Sequence, residues 1–65
     1  MGDYTKRVKG ILSENGFKFE RHGKGVHEIW HNADTKKSVS VDGKIKLRTS
    51  ANEVLKEAGI GKQFP

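Results

Sequence analysis

Three runs of alternating residues, FKFERH (17 to 22), VHEIWH (26 to 31) and KSVSV (37 to 41), are separated by turn signals too short to hold a crossover helix. That spacing most limits the fold. Strands joined by tight connections pair antiparallel with their sequence neighbours. GKG is a hairpin signal, NADTKK is a second turn, and DGK ends the third run. Gly23 and Gly25 are expected to supply the positive φ of the first turn, with Lys24 at its tip. In the first run Phe17 and Phe19 share a face, and Lys18 and Glu20 share the other. In the third, Val39 and Val41 point inward. The middle run has a mixed period, with Val26 and Trp30 on one face and Ile29 on the other.

Helical patterns frame these strands. Over residues 3 to 15, Tyr4, Val8, Ile11 and Leu12 form one apolar stripe. Asp3 caps the start, and Asn15-Gly16 stops the helix. Over residues 51 to 58, Val54, Leu55 and Ala58 make a short apolar face. SANE reads as a capping box of Ser50 and Glu53, with Gly59 as the stop and Ile60 as a hydrophobic clasp. The expected order is αβββα in a single domain over residues 1 to 65. The class is α+β, with two helices on one face of a three-stranded antiparallel sheet.

A chain of 65 residues without cysteine must rest on one small core. It buries only about 60% of its extended surface. The missing cysteines exclude disulfides and Cys-based zinc sites and fit a reducing compartment. No run approaches the roughly 18 apolar residues of a membrane span, so no membrane contact and a cytoplasmic location are expected. Lys6 stands where a myristoylation signal needs Ser or Thr. Thirteen Lys and Arg against eight Asp and Glu favour a polyanionic partner. Residues 36 to 48 concentrate the excess: Lys36, Lys37, Lys44, Lys46 and Arg48 against Asp42 alone.

RHGKGVHEIWHN, residues 21 to 32, holds all three histidines and the only tryptophan. His27 and His31 share a strand face but sit roughly 13 Å apart, too far for one metal ion. GKG is too short for a phosphate loop, and no helix follows it. Neither a metal nor a cofactor is expected. Trp30 reads as a packing residue. A histidine can still catalyse RNA cleavage without metal, by proton transfer to or from the 2′-hydroxyl and the leaving 5′-oxygen. A three-residue GKG loop would set His22 opposite Val26 and Arg21 opposite His27, placing a cation beside the imidazole and a bound phosphate.

GKGVHEIWHN, with ILSENGFKFERH before it and SVSV after it, resembles the HicA family of toxins. The tail TSANEVLKEAGI is similar to that family's C-terminal helix, which ends in K-x-A-G-I/L. The likeness runs from residue 8 to about residue 60. It implies a fold like a double-stranded-RNA-binding domain. It also implies the toxin of a type II toxin–antitoxin system, a ribosome-independent mRNA interferase that cleaves RNA endonucleolytically. The family's catalytic histidine follows the Gly-rich turn, which here is His27. The implied partners are mRNA and a HicB-like antitoxin that covers the active site, with no DNA contact by the chain itself.

Phosphate contacts are expected from Arg21, Lys24, Lys36, Lys37, Lys44, Lys46 and Arg48, with Gly25 shaping the turn. The sequence departs from the family at Val26, where a small polar residue is common, and at VDGKIKLRT, where Pro and His are common. His22 and His31 are positional candidates for a second proton-transfer group. The alternative reading is a non-catalytic RNA-binding module. A third is an interaction protein whose basic face docks an acidic partner.

Overall fold

The computed structural model describes residues 3–64. The elements are α1 (Thr5–Glu14), β1 (Phe17–His22), β2 (Glu28–Asn32), β3 (Lys37–Val41) and α2 (Arg48–Glu57). The strands form one antiparallel sheet in the order β1-β2-β3, which is the expected αβββα arrangement. No helix among the described residues is long and apolar enough to cross a membrane.

α1 buries Thr5, Val8 and Leu12, spaced to fall on one side. Tyr4 and Ile11 flank them, half-buried. Asp3 Oδ1 accepts the Thr5 N–H at 2.9 Å, and hydrogen bonding from Thr5 holds the Asp3 carboxyl below its usual value. At the other end the Asn15 N–H reaches the carbonyls of Ile11 and Leu12. Gly16, with φ +91°, turns the chain into β1.

Cross-strand partners share a face of a sheet. Phe17 faces Asn32, and Phe19 faces Trp30, which faces Val39. The register then slips, so that Glu20 is left out and Arg21 faces Ile29. Such a bulge reverses the alternation after it. His22, opposite Glu28, therefore lies on the helix side, and Arg21 lies on the open side with Ile29, His31, Ser38 and Ser40.

The core is one cluster under both helices: Val8 and Leu12, Phe17, Val39 and Val41, and Ala51, Leu55 and Ala58. Ile45 and Phe64 enter it from irregular segments. The row Val39, Trp30, Phe19 grades from buried through half-buried to exposed. Trp30 packs against the core as expected, and its Nε1–H donates to Glu28 Oε1 at 3.0 Å. Val26 is not a core residue, being 70% exposed and outside β2.

α2 starts earlier than the capping-box reading placed it. Leu47 is the N-cap, with extended backbone and no side-chain cap, so Ser50 and Glu53 lie inside the helix. The cause is Ile45. Its N–H donates to Thr5 Oγ1 at 2.8 Å, its carbonyl accepts from the Tyr4 N–H at 2.7 Å, and its side chain is buried. With Ile45 pinned there, the chain can enter the helix two residues later. Ala51 then joins Leu55 on the buried face. The other end matches expectation: Gly59 is left-handed, and the Ile60 N–H bonds the Leu55 carbonyl at 2.9 Å.

Two polar clamps complete the frame. Asn32, 4% exposed, donates from Nδ2 to the Asn15 carbonyl and accepts at Oδ1 from the Asp34 and Thr35 N–H groups. It ties the end of α1 to the β2–β3 turn. Asn52 grips the segment after α2, donating to the Phe64 carbonyl and accepting from the Gln63 and Phe64 N–H groups. This seats Phe64 against Tyr4 and Arg7.

Candidate active site

The β1–β2 connection is closed by two backbone hydrogen bonds, Gly23 N–H to the His27 carbonyl at 2.9 Å and His27 N–H to the Lys24 carbonyl at 3.3 Å. Gly25 alone in this turn has positive φ, +67°. It sits at the first central position, as in a type II′ turn. The expected positive φ at Gly23 is not found. A Cβ there would lie 3.2 Å from Ile29 Cδ1, a tight approach that the Ile29 side chain would have to relieve. The tip of the turn is Lys24-Gly25-Val26, and β2 begins at Glu28 rather than at residue 26. Hence Arg21 faces Ile29 and not His27, and His22 faces Glu28 and not Val26.

His27 follows this turn with its side chain 46% exposed. Its Nδ1 lies 3.8 Å from Asp42 Oδ1. The two open onto a cleft of about 240 Å³, walled by Ser40 of β3, Ile45 of the next loop, and Ser50, Glu53, Val54 and Glu57 of α2. The cleft is thus lined by three carboxylates, Asp42, Glu53 and Glu57, in a chain with net charge +5.

No protein-family model, curated protein or solved structure matches the chain.

The expected phosphate-binding residues divide into groups. Lys24 and Gly25 form the turn beside His27. Lys44 is exposed next to Gly43, where a Cβ would lie 2.8 Å from the Val26 carbonyl oxygen, so its loop abuts the hairpin. Lys46 and Arg48 are exposed on the far side of the buried Ile45, leading into α2. The alternation of KIK explains this: one residue anchors and its neighbours face solvent. Arg21 is on the open sheet face, ion-paired with Glu20. Lys36 ends the β2–β3 turn and Lys37 begins β3 at the opposite end of the sheet, a five-residue strand or roughly 16 Å from His27. Lys37 leans on the C-terminal end of α2 at Gly59. The run of five cations is therefore not one surface.

The other histidines differ from His27. His22 packs edge-on against Phe19, with ring centroids 5.1 Å apart. His31 has Ser38 Oγ at 2.8 Å and Glu20 Oε1 at 3.9 Å, both at Nδ1. Two partners on one nitrogen do not make a relay through the ring. Among the described residues no group of three His, Asp or Glu side chains is placed to hold a metal ion. Asp42 was absent from the residues expected at the site. Its signal lay in the register, since extending the Glu28–Val41 pairing by one step sets His27 opposite Asp42.

Proposed function

We propose that this chain is a HicA-like toxin of the type II class, acting in the cytoplasm as a metal-independent mRNA interferase with His27 at the reacting phosphate. The observation that carries this reading is an accessible imidazole on a backbone-locked turn, with a carboxylate 3.8 Å from one ring nitrogen. The likeness of GKGVHEIW and LKEAGI to the HicA family gives the same histidine the same role.

The chemistry needs no bound group. The 2′-oxygen attacks phosphorus, the bond to the 5′-oxygen breaks, and a 2′,3′-cyclic phosphate and a 5′-hydroxyl form. His27 serves as general base or acid in this exchange. Lys24 in the turn and Lys44 in the loop that abuts it supply charge to the phosphate. A HicB-like antitoxin would cover this end of the sheet.

The test is cleavage of an RNA transcript and growth arrest by wild type and His27→Ala. The variant should lose both while keeping its fold. A variant as active as wild type would refute the mechanism.

A second reading, RNA binding without cleavage, is favoured by the exposed cations Lys36 and Lys37, which lie far from the cleft. It requires RNA affinity that falls steeply with salt and yields no cleavage product.

A further inference from the structure

We infer that Asp42 is the positioning residue for His27: it holds the Nδ1–H and leaves Nε2 bare as the proton acceptor. The role in RNA cleavage rests on the function proposed above, whereas the pairing rests on geometry alone.

Asp42 Oδ1 is 3.8 Å from His27 Nδ1. The backbone sets this approach. Glu28 pairs with Val41, so the next step along each strand brings His27 opposite Asp42. Directly opposed residues of antiparallel strands have Cβ atoms about 4.5–5.5 Å apart. Both sides are fixed beyond the last ladder pair. His27 is tied to Lys24 and Gly23 through its own N–H and carbonyl. Asp42 is followed by Gly43, packed against the Val26 carbonyl so closely that a Cβ would not fit.

Glu53 and Glu57 of α2 and Ser40 of β3 also face the cleft. Of these, Asp42 is the carboxylate whose approach to the ring follows from strand register. At 3.8 Å the pair is longer than a hydrogen bond, as catalytic contacts often are before substrate binds.

A carboxylate at Nδ1 fixes the tautomer and stabilises the imidazolium that forms, without itself taking the proton. Nε2 then accepts the proton of the 2′-hydroxyl as the 2′-oxygen bonds to phosphorus. The 5′-oxygen leaves and takes a proton from water, and the imidazolium returns its proton to the hydroxide formed. His27 is thereby assigned the base role.

The experiment is nitrogen-15 NMR of the histidine rings in the RNA-free protein at about pH 8.5, well above the usual histidine range. Wild-type His27 should carry its proton on Nδ1. Asp42→Asn, whose amide can donate to Nδ1, should move it to Nε2, as should Asp42→Ala. On RNA, Asp42→Asn should lower kcat roughly 10- to 100-fold with KM unchanged, below the roughly 10⁴-fold of a buried triad carboxylate. Asp42→Glu should recover part of that loss.

A wild-type His27 protonated on Nε2, or a tautomer indifferent to both substitutions, overturns the inference even if RNA is cleaved. The expected tautomers together with an active His27→Ala would uphold the pairing and refute the role of His27 in cleavage. Amide spectra of the variants report folding separately.

Discussion

Phe64→Ala tests whether the segment after α2 belongs to the core. The ring is 4% exposed, meets Tyr4 edge-to-face at 5.0 Å and lies 4.9 Å below the Arg7 guanidinium. Burial of such a side chain is worth about 1.5–3 kcal/mol. The aromatic contact adds about 0.5–1.5 kcal/mol and the cation about 0.5–1 kcal/mol. The three Asn52 hydrogen bonds contribute about 1 kcal/mol each.

Against this stands the cost of ordering residues 61–64, about 1–2 kcal/mol each for the backbone. Docking is then favourable by only about 1 kcal/mol. Because the segment can peel away, the variant cannot lose more than that. The expected loss is about 1 kcal/mol, less than the about 3–5 kcal/mol of a Phe→Ala change in an enclosed core. Urea unfolding should show the midpoint falling by about 1 M if m is near 1 kcal/mol/M. The slope should fall slightly, since less surface is buried in the native state. A loss under about 0.5 kcal/mol would show that the segment is not docked, and one above about 4 kcal/mol that it cannot detach.

The Trp30 N–H, followed by Lys9 Nζ at 3.2 Å, holds the Glu28 carboxyl below its usual value near 4.5. A depressed acid stabilises the fold above its unfolded value and loses that contribution as pH falls through its folded value. Glu28→Gln should therefore weaken the protein at neutral pH and flatten its acid-induced loss below about pH 4.5, read from urea midpoints across that range. Gly43→Ala forces a Cβ to 2.8 Å from the Val26 carbonyl oxygen. It should cost about 1–3 kcal/mol and displace the hairpin and, on the proposed function, lower RNA cleavage more than Gly25→Asn does. Lys36 has φ +61°, and glycine there would relieve about 1–2 kcal/mol of backbone strain. Glycine also adds about 0.5–1 kcal/mol of unfolded-state entropy, so calorimetry of Lys36→Gly should show a change of about 0–1.5 kcal/mol, in the stabilising direction.

The element order was legible because alternation and punctuation agreed: β1 and β3 have the bounds their patterns set, and Gly16 and Gly59 end the helices where expected. β2 was less legible because its residues answer to both faces. Trp30 serves the core, while Ile29 lies half-buried on the open side. The bulge at Glu20 left no local signal, and it moved the partner of Arg21 by one residue, from Glu28 to Ile29. The start of α2 was misplaced because a capping box is a local preference worth about 1 kcal/mol. The burial of Ile45 and its two bonds to the start of α1 outweigh it. His27 was legible as the residue after a turn, but its exposure was not, because the mixed period of VHEIWH left its face open. Its carboxylate partner became visible only with the register of strands whose intervening turn spans residues 33–36.

The cleft sits where a small sheet should fray, just beyond the last ladder pair of β2 and β3. What prevents fraying is not the ladder but the loop after it. Ile45 is bound through its backbone to Tyr4 and Thr5, and its side chain both fills the core and walls the cleft. Tyr4 in turn carries Phe64, which Asn52 clamps. The geometry of His27 and Asp42 therefore depends on contacts far along the chain, through a short path: Phe64 to Tyr4, Tyr4 to Ile45, and Ile45 to the turn that holds Asp42. In a domain with no disulfide and a core this small, the residues that stabilise the fold are the same ones that hold the site open.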